Sequence, residues 1–259
     1  MRIPIRTSKW AIWASRAARL ALPVIIIAAF MHRGGIIDSP TFLAAAGAGV
    51  AFGLIALAVG LAAYVRIWFT GDRGWRPASI GVATGLICLV PLVVAGLQAA
   101  RLPAVHDVST DIADPPAILG SSRLGLGGGF DDPELQAQIV KAYPNARARE
   151  YPLAVGETWL LVRELVERRG WEILSRRGPG VDQPGTLNAV AMTWLGWRDE
   201  VAIRVGGTQD GSRIDMRSVS YEGAHDLGTN GLRIERFLLD LDDAVTERTF
   251  ELGIVPPGG

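Results

Sequence analysis

Two long uncharged stretches restrict what this chain can fold into more than any other feature. Residues 41–65 and 77–100 contain no Asp, Glu, Lys or Arg. Each stretch is longer than the roughly 20 residues that an α-helix needs to cross the hydrocarbon core of a bilayer. We therefore predict that both cross a membrane as helices.

A third apolar segment, around "LALPVIIIAAF", has Arg16 and Arg19 at its start. A cationic start followed by a short apolar core is also typical of a cleaved signal peptide. No Ala-x-Ala-like cleavage site follows Phe30, because the chain continues "MHRGG", and this favours an uncleaved anchor over about residues 17–37. The prediction is three spans, or two if the first segment is cleaved.

Charge divides the chain into two halves and predicts its orientation. Up to Arg101 there are 10 basic and 2 acidic residues, and after it 16 basic and 24 acidic. Lys and Arg in short flanking segments mark the cytoplasmic side of a membrane. The N-terminal segment contains Arg2, Arg6, Lys9, Arg16 and Arg19. The loop between the second and third spans contains Arg66, Arg73 and Arg76, whereas the loop between the first and second contains only Arg33. We predict a bacterial inner-membrane protein with a cytoplasmic N-terminus and a periplasmic C-terminal half, whose acidity argues against nucleic acid as a partner.

Glycine pairs spaced by four residues occur in the second and third spans, at Gly49 and Gly53 and at Gly81 and Gly85. This spacing places both glycines on one helix face, where two backbones can approach closely. The two helices could pack against each other within one chain, or the glycines could form a homodimer interface. Because neither span contains an ionisable residue, a transporter or channel is disfavoured.

Residues 102–149 form a junction that contains "VHDVSTDIADPPAI". His106, Asp107 and Asp111, with Asp114 nearby, could hold a divalent cation. Asp, Ser, Thr and Pro are equally typical of an extended linker, so both interpretations stay open. The glycine-rich "GSSRLGLGGGF" that follows predicts a flexible stretch, and Asp132 and Pro133 then mark the start of a short helix.

The exported domain, residues 150–259, has the order strand, helix, three or four strands, helix. "WEILS", "TLNAVAMTWL", "EVAIRVGG" and "SRIDMRSVSY" are strand-like and are joined by short turns, which indicates an antiparallel sheet. Two amphipathic patterns predict helices on one face of that sheet: Val155, Trp159, Val162 and Val166, then Ile234, Phe237, Leu238, Leu241 and Val245. The predicted fold class is α+β, a two-layer sandwich that follows the membrane helices.

Three segments, "VHDVSTDIADPPAI", "TWLGWRDEVAIRV" and "RSVSYEGAHDLGTNGLRIERFL", resemble the domain of unknown function 1499 family, in its version with N-terminal membrane helices. The resemblance covers roughly residues 100–245 and departs at Asn188, where an acid is usual, and at Trp197, where a phenylalanine is usual. It is most specific at Ser218, Ser220, Gly223, Asp226, Gly228, Asn230 and Arg233. Because the biochemistry of this family is unassigned, the resemblance implies domain limits and no catalytic residues.

The stretch "EGAHDLGTNGL" is the best candidate for a site, because it places polar residues between a strand and a helix. Its glycines, Gly223 and Gly228, suit a tight turn, and Asp226, Thr229 or Asn230 can cap the helix. Arg233 stands near the start of that helix, where the helix dipole disfavours a cation, so we expect an anionic partner. That partner is either Asp226 or a bound phosphate or carboxylate.

Two classes of function follow from these residues. In the first, the exported domain binds an envelope protein, a lipid or another envelope component. In the second, it is a hydrolase-like or transferase-like enzyme with His225 as general base, Asp226 orienting it, and Asn230 and Arg233 stabilising an anion. No motif for a cofactor or for structural zinc is present in the sequence, so neither a cofactor nor a metal is predicted.

Overall fold

The computed structural model describes residues 6–120 and 132–254. These residues fall into two compact units, one made of Met1–Leu97 with Trp194–Gly196 and the other of Gln98–Thr193 with Trp197–Gly259. The glycine-rich stretch predicted to be flexible lies outside the described residues from Ser121 onward.

The first unit contains three helices, and each is long and apolar enough to cross a membrane. They are α1 (Lys9–Arg33), α2 (Ser39–Thr70) and α3 (Trp75–Arg101). The Asp38 carboxylate begins α2 by accepting a hydrogen bond of 3.0 Å from the Thr41 amide. All three helices extend at one end or both beyond the predicted apolar runs. Helix α1 begins eight residues before the predicted Ala17 and ends at Arg33, before the predicted residue 37.

The glycines of the second and third spans lie against neighbouring helices of the same chain. A Cβ at Gly53 would lie 2.7 Å from the Cβ of Cys88, and one at Gly85 would lie 2.5 Å from the Cβ of Leu57. Gly49 and Gly81 contact α1 in the same way, beside Ile25 and Ala14. These four glycines therefore lie against helices of the same chain, which supports packing between the helices and not the alternative of a homodimer interface at these glycines.

The second unit is built on a six-stranded antiparallel sheet. Its order is β1-β6-β5-β4-β3, and β2 pairs with the same edge of β6 as β1, but nearer the start of β6. The strands are β1 (Asp107–Ser109), β2 (Arg149–Tyr151), β3 (Glu172–Arg177), β4 (Gly185–Met192), β5 (Arg198–Thr208) and β6 (Gly211–Ser220). The structure confirms the predicted α+β class and antiparallel sheet.

Three helices complete this unit: α4 (Pro133–Ala142), α5 (Val155–Arg168) and α6 (Thr229–Glu251). As predicted, Asp132 caps α4 by accepting hydrogen bonds from the amides of Glu134 and Leu135. All five apolar residues predicted for the last helix are buried, and they share one core with the inward side chains of β4, β5 and β6. We call this side of the sheet the helix face and the opposite side the second face.

Candidate functional site

The predicted turn connects β6 to α6 and has the backbone that its glycines suggest. Gly223 and Gly228 have φ angles of 87° and 86°, and Leu227 has a φ of 53°. The Asp226 carboxylate accepts hydrogen bonds of 2.8 Å from the amides of Gly228 and Asn230. Asp226 therefore caps the start of α6, one of the roles predicted for it, and burial raises the pKa of this carboxyl although the two amides oppose that shift.

Arg233 has an anionic partner, and that partner is Asp199 on β5 rather than the predicted Asp226. The guanidinium bonds to the Asp199 carboxylate, and the two side chains are only 10% and 3% exposed. Asp226 does not pair with Arg233, because its two oxygens already accept hydrogen bonds from amides at the start of α6. The positive charge of Arg233, which the helix dipole disfavours, is thus neutralised by Asp199 within the fold.

A buried hydrogen-bond network surrounds this ion pair. Arg233 also donates to the Ser218 hydroxyl at 2.8 Å and to the Asn230 carboxamide oxygen at 2.7 Å. The Asn230 carboxamide nitrogen donates to the Ser220 hydroxyl and to the carbonyl of His106. We call Asp199, Ser218, Ser220, Asn230 and Arg233 the Arg233 network; it connects α6 to β5, to β6 and to the residue that precedes β1.

The residues of the catalytic hypothesis make separate contacts within the described part of the chain. The Nδ1 atom of His225 accepts a hydrogen bond of 3.1 Å from the Leu227 amide. Its Nε2 atom is buried, with no hydrogen-bond partner in the described part of the chain. Asp226 is engaged by the helix amides and Arg233 by Asp199, so the two groups assigned to orient the base and to stabilise an anion have partners within the protein.

The junction is not a plain linker, because it contributes β1 and then crosses the second face of the sheet. The Asp107 carboxylate accepts two hydrogen bonds from Arg217, at 3.0 and 2.6 Å. Asp111 bonds to Arg213 at 3.0 Å, and Asp114 bonds to Arg204 at 2.6 Å. We call residues 111–120 the crossing segment, and it binds the sheet through these arginines.

The three acids of the junction cation hypothesis have cationic partners in the fold. Arginines already neutralise Asp107, Asp111 and Asp114, and no group of three or more potential metal ligands occurs among the described residues. The backbone carbonyl of His106 joins the Arg233 network, while the Asp107 side chain meets Arg217 on the second face.

Glu200 holds the far end of the crossing segment and was not found by sequence reasoning. This fully buried carboxylate accepts hydrogen bonds from the amides of Leu119 and Gly120, at 2.7 and 2.8 Å. It also accepts from Asn188 at 3.1 Å and from the Tyr221 hydroxyl at 3.3 Å. A Cβ at Gly120 would lie 2.7 Å from one of its oxygens, so glycine is required for this approach.

The adjacent acids Asp199 and Glu200 lie within a strand-like sequence, and this pattern could have identified both the Arg233 network and the Glu200 contact with the crossing segment. In "RDEVAIRV", alternation places Asp199 on the same face as Val201 and Ile203. An acid on the core face of a strand needs a buried cationic partner, because an isolated buried charge is very costly. The register confirms this placement, since Val201 lies opposite Ser218 of the Arg233 network.

Comparison with known proteins identifies the family of the second unit. The family model described as "Protein of unknown function (DUF1499)" matches residues 107–241, more than half of the chain. The chain therefore belongs to this family, and the match begins at the first residue of β1. No curated protein and no solved structure matches the chain.

Proposed function

We propose that this member of the family is a bacterial inner-membrane protein whose periplasmic α+β domain binds another protein of the envelope through strand β3. Three apolar helices and the distribution of Lys and Arg around them support a cytoplasmic N-terminus and an exported second unit. Asp226, Asn230 and Arg233 at the predicted turn have partners within the protein, so few of its polar groups are left to bind an external ligand. Recognition is then a property of the domain surface.

The observation that carries this proposal is the exposed edge of the sheet at β3. This strand is the last in the strand order and pairs with β4, whereas β1 and β2 together occupy the opposite edge. Five of its six residues are exposed. An edge strand presents unpaired backbone groups that can accept an additional strand from a partner protein.

Side chains near this edge indicate the chemistry of the partner. Leu174 is 42% exposed and Val181, just after the strand, is fully exposed. Arg176 and Arg177 lie between them and are also exposed. Two arginines with an apolar residue on either side suit an extended segment that carries apolar and acidic side chains. We call residues 172–181 the β3 edge.

A photo-crosslinking amino acid at position 181 tests this proposal in native membranes. The matched control is position 140, an exposed valine on α4, the helix that leads into β2 at the other end of the sheet. We expect a discrete cross-linked protein from position 181 and none from position 140. Leu174→Asp should greatly reduce this product, because it places an anion in an apolar contact. Equal cross-linking at both positions, or a yield that Leu174→Asp leaves unchanged, would overturn the proposal.

The orientation has its own test, based on cysteine labelling. The single cysteine, Cys88, is buried, so labelling of the unmodified protein should be low. A cysteine introduced at Val181 should react with a membrane-impermeant maleimide in intact cells whose outer membrane has been made permeable. If labelling instead required lysis of the inner membrane, the proposed orientation would be wrong.

A further inference from the structure

We propose that the basic end of the helix bundle holds one anionic phospholipid, with its phosphate at Lys9 and an acyl chain against Trp13 and Val59. This site lies in the first unit and is independent of the binding proposed for the α+β domain. Three observations support this site: several basic residues lie at one end of the helix bundle, a cavity opens at that end, and the cavity extends toward the apolar part of the bundle.

Backbone hydrogen bonds bring basic residues from two segments of the chain together at one end of the helix bundle. The amide of Ser8 donates to the carbonyl of Arg73 at 2.8 Å, and the amide of Arg73 donates to the carbonyl of Arg6 at 2.9 Å. The start of α1 therefore meets the loop between α2 and α3. The basic residues at or near this end are Arg6, Lys9, Arg66, Arg73 and Arg76, with Asp72 as an acid in the same loop. Their net positive charge attracts anionic lipid headgroups.

A cavity of about 230 Å³ opens beside these cations and is lined by Lys9, Trp10, Trp13 and Val59. Trp13 is 62% exposed, and the guanidinium of Arg16 lies 5.1 Å from its ring centroid. Tryptophan is enriched where a membrane helix meets the headgroup layer. The lining thus combines one ammonium group with an otherwise apolar wall.

The depth of the cavity favours a phospholipid over a free phosphate ion. Lys9 is the first residue of α1, and Trp13 follows one turn later on the same face. Val59 precedes Thr70, the end of α2, by 11 residues, which is about 16 Å along a helix. The cavity therefore extends from the charged end toward the apolar part of the bundle, as a headgroup with an acyl chain requires.

Lys9 is available for this role. Within residues 6–120 and 132–254, no hydrogen bond or ion pair engages its ammonium group. A lysine ammonium binds a phosphate as a compact charge with three donors. Because Lys9 is exposed, its replacement should leave the fold of the helix bundle intact.

Native mass spectrometry of the full-length protein in detergent tests the site, with dioleoyl phosphatidylglycerol or dioleoyl phosphatidylcholine added. We expect preferential retention of phosphatidylglycerol, and Lys9→Gln should lower this adduct about fivefold, the effect of one cation near a lipid phosphate. Lys9→Arg should keep it. The matched control is Arg76→Gln, which removes one exposed charge near the same end without altering the cavity lining, and it should change the adduct less than about twofold.

Two results would overturn the proposal. Equal retention of the two lipids would show that the cavity does not recognise an anionic headgroup. An equal loss of phosphatidylglycerol in Lys9→Gln and Arg76→Gln would show that diffuse positive charge, and not a site at Lys9, attracts the lipid. Equal melting temperatures for the variants and the natural protein would confirm that each comparison concerns folded protein.

Discussion

The two faces of the sheet both hold arginine–carboxylate pairs, but in different surroundings. On the helix face, Arg233 and Asp199 are almost fully buried and are bonded to Ser218 and Asn230. On the second face, Arg217 and Asp107 are 18% and 1% exposed, whereas Arg204 pairs with Asp114, whose side chain is 80% exposed. Because water screens exposed charges, the Arg233–Asp199 pair should matter far more than the Arg204–Asp114 pair. The comparison teaches that burial, and not the number of ion pairs, identifies the residues that specify this fold.

The largest effect should come from breaking the buried pair on the helix face. Arg233→Met leaves the Asp199 carboxylate buried without its cation, which should lower the free energy of unfolding by about 3–5 kcal/mol. Denaturant unfolding of the full-length protein in detergent measures this loss. Arg236→Met, the same chemical change at an exposed position of α6, should cost less than about 0.5 kcal/mol. If Arg233→Met and Arg236→Met lowered the free energy of unfolding by similar amounts, burial would not explain the importance of Arg233.

Glu200 should give the next largest effect, because it is buried on the second face and holds the crossing segment. Glu200→Gln replaces one of its acceptor oxygens by an amide group, so it cannot accept from both Leu119 and Gly120 as the carboxylate does. We expect a loss of about 1–3 kcal/mol. Hydrogen exchange should increase at residues 111–120 and change little in α6. Protection that stays unchanged in the crossing segment would show that Glu200 does not hold it.

Asp226 should make the stability of the helix face depend on pH. Burial raises the pKa of this carboxyl in the folded protein above its ordinary value of 3.8. The folded state then binds the proton more tightly, so the stabilising contribution is complete below pH 3.8 and is lost as the pH rises through the folded pKa. Asp226→Asn cannot titrate and still offers a capping oxygen. Its unfolding free energy, relative to the natural protein, should therefore increase over that pH range, and a difference independent of pH would contradict this.

The smallest effect should come from the exposed pair on the second face. Asp114→Asn removes the carboxylate that bonds to Arg204, but Arg204 keeps Asp215 at 3.1 Å. We expect a loss of no more than about 1 kcal/mol, reduced further by salt. Denaturant unfolding at low and high salt checks this value. A loss as large as that of Arg233→Met would mean that exposure does not decide how much each of these two pairs contributes.

Particular residues show how far the sequence predicts this structure. The apolar runs predict the membrane helices, and the spacing of Ile234, Phe237 and Leu241 predicts α6, because periodicity is a local property of the chain. The Asp226 cap is likewise local, since it acts within four residues. Asp199 and Arg233 are 34 residues apart, and their pairing depends on the packing of α6 against β5. The sequence indicated that Arg233 needs an anion, but only the tertiary structure identifies which one.

The crossing segment illustrates the same limit. Its Asp and Pro residues are those of a linker, and nothing local distinguishes the two cases. What fixes this segment is a set of partners on distant strands, such as Glu200 and Arg213. Composition predicts how a segment can bend, whereas long-range polar contacts decide where it lies.

A double-mutant cycle between Asp199 and Arg233 tests the central claim most directly, namely that Arg233 is neutralised within the fold and not by a bound ligand. Unfolding free energies are measured for Asp199→Asn, Arg233→Met and the double variant. We predict a double variant that loses at least about 2 kcal/mol less than the sum of the single variants, because it leaves no unpaired buried charge. Additive losses would contradict the account and would mean that another anion is the partner of Arg233.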